Sequence, residues 1–484
     1  MIKRIPELII LISICIIVYL ISYDTNSRQV VFSVHLIYHS IIFALLFLES
    51  KYQSKAFVPF LLLPPTIYSL FVFLKIGLGG LLTLFEIGNW QYYQFNPETF
   101  ITSDFISVLS VIFIFIGYNA FSFRLINTKT RTVKLPKKRR TAKFPSKRRA
   151  YILSMVPILS VIYGLSTGTY GFLGDASSEG SFIQIIKTGS ELGSFIIIYL
   201  VYYFYDRPIE KKIVYMFLAF FFILGLAYGH KSTAVIVVLN FLIVLYFKER
   251  KIDKSVSLIL IGAIFLAYAI IQPLRIYAES SASLKGTSLS ISDLYNIFNE
   301  ALNTNSSYST DDASFIFTSF MVRSNYMEPL SMAIENKKSS FTETHVKGGW
   351  GHIALSPIYA VVPRFIWKNK PIADIGRHFS YEIYGSTFLN SIGFTPQGYF
   401  YLLNGFFGVV FGFLLIGSFM RVITWFLVER LREPIIYLYL LVEFSGPTDL
   451  IWSYFSGIMQ SIIFLLIVMF FMYKRSGRLV KQKF

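Results

Sequence analysis

The chain is 484 residues long and carries 45 Lys and Arg against 27 Asp and Glu, a formal net charge of +18. Only 15% of its residues are charged and 54% are hydrophobic. Soluble domains run at about 25% charged, so the composition excludes an ordinary water-soluble enzyme, and the apolar surface available for burial excludes a disordered chain. A single cysteine, Cys15, excludes an intrachain disulfide, a CxxC redox pair and a Cys-based zinc cluster.

The apolar residues fall in long runs, which predicts an all-α polytopic integral membrane protein. A spanning helix needs about 20 mostly apolar residues. In chain order the candidates are Ile5–Ser22, Val30–Leu48, Ala56–Leu74, Phe100–Phe123, Tyr151–Ser166, Glu191–Tyr205, Ile213–Gly229, Thr233–Phe247, Ser255–Gln272, Gly398–Phe419, Pro434–Phe444 and Ile451–Tyr473, or twelve spans. The first follows Lys3 and Arg4 but has no small-residue cleavage site before Tyr23-Asp24, so it reads as a retained helix rather than a signal peptide. The eleventh is short and ends at Glu443 and Ser445-Gly446-Pro447, as a broken or tilted helix would.

Lys and Arg collect on the cytoplasmic side of a membrane. With the N-terminus inside, every loop assigned to the cytoplasm is basic: Lys3 and Arg4, Lys51 and Lys55, the dense run from Arg124 to Arg149, Arg207 to Lys212, Lys248 to Lys254, Arg421 to Arg432, and Lys474 to Lys483. The alternation holds through twelve spans and places both termini in the cytoplasm. The run Lys137-Lys138-Arg139-Arg140 and Lys147-Arg148-Arg149 reads as a topology anchor beside anionic headgroups, and no nucleic-acid partner is expected. The chain then divides into residues 1–272, with nine helices and the basic loop 124–150; residues 273–397, a large external loop between helices nine and ten; and residues 398–484, with the last three helices and a basic tail.

A loop of about 125 residues between spans implies a function. It opens with Ser280-Ser281-Ala282-Ser283, then reaches Thr344-His345-Val346-Lys347-Gly348-Gly349-Trp350-Gly351-His352, the apolar piece Ile353–Val362, Pro363-Arg364-Phe365-Ile366-Trp367-Lys368-Asn369-Lys370-Pro371, and Gly376-Arg377-His378. Ile353–Val362 is too short to span, so it reads as interfacial or re-entrant. Two smaller external loops are expected at Gly77–Glu98, which holds Gly77, Gly79, Gly80 and Trp90, and at Thr167–Ser190. The cytoplasmic loops show no P-loop, no Asp-rich metal motif and no paired carboxylates, so any chemistry belongs at the outer membrane–water boundary, on a substrate that arrives activated.

The external cations suit a lipid-linked pyrophosphate. Lys231 lies at the outer end of the seventh span, Arg275 at the outer end of the ninth, and Arg364 beside an apolar patch. Arg is shaped for bidentate phosphate contacts, and preorganised cations stabilise the charge that builds on a departing pyrophosphate by about 3 kcal/mol each. No metal is then required. The alternative for each cation is a headgroup anchor. His345, His352 and His378 offer a general base near neutral pH, and each would also serve as a plain loop histidine. His35 and His39 stand at i,i+4 on the second span, a spacing metals use, but with no third ligand evident they read as packing or interhelical hydrogen-bonding residues. Glu191, Glu443 and Asp449 lie in or beside spans, where carboxylates are functional candidates or helix-end residues. Trp350, Tyr359 and Trp367 would stack on sugar rings or form an interfacial belt.

The stretch Pro363-Arg364-Phe365-Ile366-Trp367-Lys368-Asn369-Lys370-Pro371 resembles the Wzy family of O-antigen and capsular polysaccharide polymerases. Similar to that family are also Thr395-Pro396-Gln397-Gly398-Tyr399, Asn404-Gly405-Phe406-Phe407-Gly408, Gly229 with Lys231, Pro273-Leu274-Arg275, and the ten residues between Arg275 and Gly286. Family members share the size, ten to fourteen spans and a large external loop before the last helices.

The resemblance implies a GT-C-like glycosyltransferase of the bacterial cytoplasmic (inner) membrane. It would polymerise undecaprenyl-pyrophosphate-linked oligosaccharide repeat units into O-antigen or capsule at the outer face, by metal-independent, inverting transfer with no cofactor. Arg275, Arg364 and Lys231 would hold the donor pyrophosphate, and Arg377 or Lys370 the acceptor. Trp350 and Trp367 would contact sugars, and His345, His352 or His378 would deprotonate the acceptor hydroxyl. The partners are membrane lipid and a protein that regulates chain length. The alternatives are an O-antigen ligase and a flippase of lipid-linked glycans. No internal repeat relates the chain halves, as many transporters show.

Overall fold

The computed structural model describes residues 5–53, 58–87, 94–120, 143–166, 181–227, 231–249, 325–362, 366–367, 369–371, 375–385, 395–431, 433–445 and 451–475, with a few isolated positions between 254 and 299. Among these residues the regular structure is helical apart from one ribbon of two three-residue strands. In order come α1 (Ile5–Ser22), α2 (Arg28–Gln53), α3 (Pro64–Val72), a five-residue π-helical turn (Phe73–Gly77), α4 (Leu78–Leu84), α5 (Pro97–Ala120), β1 (Lys143–Pro145), α6 (Lys147–Ser166), α7 (Ser181–Phe204), α8 (Pro208–Ala227) and α9 (Lys231–Glu249). After these follow α10 (Met327–Glu335), α11 (Gly349–Val361), α12 (Ile375–Glu382), α13 (Pro396–Thr424), α14 (Pro434–Ser445), α15 (Ile451–Met472) and β2 (Tyr473–Arg475).

Among the described residues, five helical stretches are long and apolar enough to cross a membrane: Arg28–Ser50, Pro64–Leu84, Pro97–Ala120, Pro396–Arg430 and Ile451–Met472. Glu7–Ser22, Leu192–Phe204 and Pro434–Phe444 are shorter apolar helices. The third expected span is displaced: its helix begins at the Pro64-Pro65 pair, where proline suits the first turn, and runs through the π turn to Leu84. Gly77, Gly79 and Gly80, expected in an external loop, are therefore helical. The ninth expected span, Ser255–Gln272, lies outside the described residues except at isolated positions.

The chain forms two compact units. The first comprises residues 1–132, 318–433 and 443–461. Its centre is α5, of which both faces are buried, packed along α13 with almost no side chain between the backbones. A Cβ on Gly117 would overlap the carbonyl oxygen of Leu414, and one on Gly417 that of Ile114. Small residues at such crossings let membrane helices approach closely. Helix α13 starts at Thr395, whose Oγ1 accepts from the Gly398 amide at 3.1 Å, with Pro396 in the first turn; both suit a helix start. It bends at Asn404 (φ −150°, ψ 28°) and Gly405 (φ 61°), where glycine tolerates the left-handed conformation.

Helix α10 lies within the stretch 273–397. Met327 to Ile334 are all buried, packed against α4, α5 and α13. At one end of this unit Arg28 pairs with Glu86 at 2.6 Å and the Tyr23 hydroxyl donates to Glu98, so the two turns assigned to one side of the membrane meet.

The second unit comprises residues 133–317, 434–442 and 462–484. Here β1 and β2 pair antiparallel, Phe144 opposite Lys474, a small departure from an all-helical chain. Arg149 Nη1 donates to the carbonyls of Phe471 (2.9 Å) and Tyr473 (2.8 Å), completing carbonyls that the end of α15 leaves open. Lys147 pairs with Glu210 at 2.6 Å and Lys248 with Asp206 at 2.7 Å. These contacts involve Lys147, Arg149, Asp206, Glu210 and Lys248, which lie in or beside loops assigned by charge to the same side.

Candidate functional site

Three groupings stand out, all in the first unit. In the first, His352 near the start of α11 has Nδ1 2.9 Å from the Tyr359 hydroxyl, and Trp452 lies 6.0 Å from His352 and 5.2 Å from Tyr359. Burial pushes the Tyr359 phenol up, so it stays protonated. Trp367 folds back to 5.5 Å from the Tyr359 ring. Lys370 Nζ donates to the Tyr359 carbonyl at 2.5 Å and to the Val362 carbonyl at 3.3 Å, and Gln460 Nε2 donates to the same Tyr359 oxygen at 3.2 Å. A cation on the last carbonyls of a helix complements its dipole, so Lys370 is tied to the end of α11. Trp350 Nε1 donates to Asn404 Oδ1 at 2.9 Å, at the α13 bend, and its ring stacks on Phe400.

In the second grouping, His345 Nε2 lies 2.7 Å and His378 Nδ1 3.4 Å from the same oxygen, Glu382 Oε1. The two imidazoles stack at 4.0 Å between centroids. Arg377, next to His378, is exposed.

The third lies inside the helices. His35 and Asp104 are 1% and 0% exposed, with Nδ1 2.9 Å from both carboxylate oxygens and Nε2–H donating to the Gly77 carbonyl at 2.8 Å. His39 Nδ1–H donates to the His35 carbonyl at 3.0 Å, which leaves its buried Nε2 as a bare acceptor with no hydrogen-bond partner. The rings fit because Gly77 and Gly80 are glycine: a Cβ on either would overlap His39 or His35. Further polar groups extend this interior. Thr83 Oγ1 accepts from Asn325 Nδ2 (2.8 Å) and donates to the buried Glu328 (3.3 Å), and the Ser103 and Ser331 hydroxyls meet at 3.0 Å.

Of the residues singled out from sequence, His345 and His378 are brought together, and His352, Trp367 and Lys370 form a separate group; Trp350 stands at the bend. Arg275 and Arg364 lie outside the described residues. Lys231 begins α9 in the second unit, and its side chain lies outside the described part. The interhelical hydrogen bonding expected of the His35 and His39 pair is present, and its partner is Asp104 of the fourth span, a residue not singled out from sequence. Its signal was present: Thr99, Ser103, Ser107 and Ser110 repeat at helical spacing beside it, and all are buried, marking a polar interior face. Glu382 was likewise overlooked, although it stands at i,i+4 from His378. Clusters of metal-ligating type are thus present where none was evident from sequence. No family model, no curated protein and no solved structure matches the chain.

Proposed function

We propose that the protein is a polysaccharide polymerase that joins lipid-pyrophosphate-linked repeat units at the outer face of the membrane. The observation that carries this reading is the grouping of His352, Tyr359, Trp367 and Lys370. Trp367 and Lys370 of the Pro363 to Pro371 signature lie against the helix that bears a histidine able to act as base. With Nδ1–H donating to the Tyr359 oxygen, His352 Nε2 takes the proton of the acceptor hydroxyl. That oxygen forms the new bond to the anomeric carbon as the bond to the lipid pyrophosphate breaks. Arg364 stabilises the departing charge, with Arg275 and Lys231 the further cations that the sequence offers for that role, and Trp367 supplies a face for a sugar ring. Product inversion follows from a single displacement.

A second reading, a flippase of lipid-linked glycans, is favoured by the buried His35–Asp104 pair and Glu328, since ionisable groups among membrane helices mark ion and proton pathways. Purified protein reconstituted with lipid-linked repeat units separates the readings. A polymerase lengthens the glycan and His352→Ala stops it; units that cross the bilayer at constant length identify a flippase.

A further inference from the structure

The geometry points to a divalent transition-metal site, of zinc type, formed by His345, His378 and Glu382. It is independent of the glycosyl-transfer reading, which uses a different histidine.

The three donors come from two elements held in register by a buried anchor. His345 lies in the π-helical turn Thr342–Val346, and His378 and Glu382 lie one helical turn apart on α12. Beneath them Phe341 and Phe379, both fully buried, meet at 5.4 Å between centroids. Phe341 precedes His345 by four residues and also touches its ring, and Phe379 follows His378. Single π turns recur at functional sites because they redirect a side chain out of helical register. Here the turn brings His345 across to α12, and Gly348 at φ +83° then lets the chain leave into α11.

The donor atoms all lie within 4.8 Å of one another, and two pairs are 2.7 and 3.4 Å apart. Ligands of a tetrahedral zinc ion, each about 2.1 Å from the metal, stand about 3.3 Å from one another, so closure around an ion needs shifts of well under an ångström for these pairs. Both imidazoles bring a nitrogen to one carboxylate oxygen, His345 Nε2 at 2.7 Å and His378 Nδ1 at 3.4 Å. Two imidazoles and a carboxylate form a common zinc donor set, with a fourth position left to solvent. The side chains are 20%, 26% and 30% exposed, enough for an ion to reach them from water. The His35, His39 and Asp104 cluster lacks that access, and both nitrogens of His35 are already engaged. A bound ion would clamp the 342–346 turn to α12 across the segment between them.

The test uses the full-length protein in detergent, stripped with a chelator and titrated with zinc chloride in a calorimeter. One zinc per chain is expected. Glu382→Gln and His378→Ala, each removing a direct ligand, should weaken binding by on the order of 100-fold or more, since even outer-sphere partners are worth 10–100-fold. X-ray absorption at the zinc edge of the unmutated protein should count two imidazole ligands, a readout that does not depend on any variant folding. Absence of stoichiometric binding, binding unchanged by Glu382→Gln, or binding lost only in His39→Ala overturns the proposal. Polymerase activity plays no part in the readout, so its absence leaves this result standing.

Discussion

Asp104 of α5 holds His35 of α2 with both carboxylate oxygens at 2.9 Å from Nδ1, in a place where neither side chain meets solvent. His35 Nε2–H faces a carbonyl, so the ring and the carboxyl group share one further proton between them. Removing one partner of a buried pair leaves the other uncompensated, at about 3–5 kcal/mol. His35→Ala should therefore lower the unfolding midpoint of the detergent-solubilised protein strongly. Asp104→Asn, which keeps the shape and a hydrogen bond, should lower it by less, about 1–3 kcal/mol. Equal midpoints for wild type and His35→Ala would show that the pair does not hold α2 to α5.

The crossing of α5 and α13 makes a steric prediction. Gly117→Ala and Gly417→Ala each push a methyl group into a backbone carbonyl of the facing helix, and overpacking of this kind costs about 1–3 kcal/mol. Gly351→Ala and Gly457→Ala meet open space and should stay within about 0.5 kcal/mol of wild type. Thermal unfolding of the four variants side by side checks the contrast.

Glu335, at the end of α10, predicts a pH dependence. Burial pushes its carboxyl up, opposed by hydrogen bonds from Thr99 and Asn96; Thr99 Oγ1 lies 3.1 Å from Oε1. A carboxyl raised on folding contributes stability that is fully present below the ordinary carboxylate range and is lost as pH rises through the raised value. Wild type should thus lose stability on going from mild acid to neutral pH relative to Glu335→Gln, which has no proton to release. Parallel midpoint-versus-pH curves for the two proteins would contradict the assignment.

On the proposed reaction, Arg275→Ala and Arg364→Ala should each reduce chain extension on the order of 100-fold or more, the equivalent of about 3 kcal/mol of charge stabilisation, with unchanged insertion and yield. Lys370→Met removes the Lys370 contacts to the end of α11 and should act in the same direction. Full-length glycan made by either Arg variant at wild-type protein levels would remove that residue from the site.

The sequence showed the helices well because spans are long and apolar: α1 and α14 begin at the residues where their apolar runs begin, and α15 likewise. Its failures are physical. The third span was read ten residues early because Gly77, Gly79 and Gly80 look like turn residues; in the helix, Gly77 and Gly80 leave space for two imidazoles and Gly79 for Asn325. Helix α10 went unassigned within the long loop, because periodicity cannot reveal that Ser103 and Thr83 meet Ser331 and Glu328. Of the three loop histidines, residue type placed them on one footing. Only the fold separates His345 and His378, which share Glu382, from His352, which pairs with Tyr359.

Arg149 reaches the Tyr473 carbonyl across 324 positions of sequence, and the first unit likewise draws on residues before 132 and after 318. Neither unit is therefore a continuous stretch of chain, and domains generally complete as the ribosome supplies them, N-terminal part first. During synthesis β1 must stay unpaired until Tyr473 has emerged, and α5 must lie in the bilayer without α13 along its glycine face. Early helices with unmet partners are the stage at which a membrane insertase or chaperone would be needed, and at which stalled translation would leave both units open together.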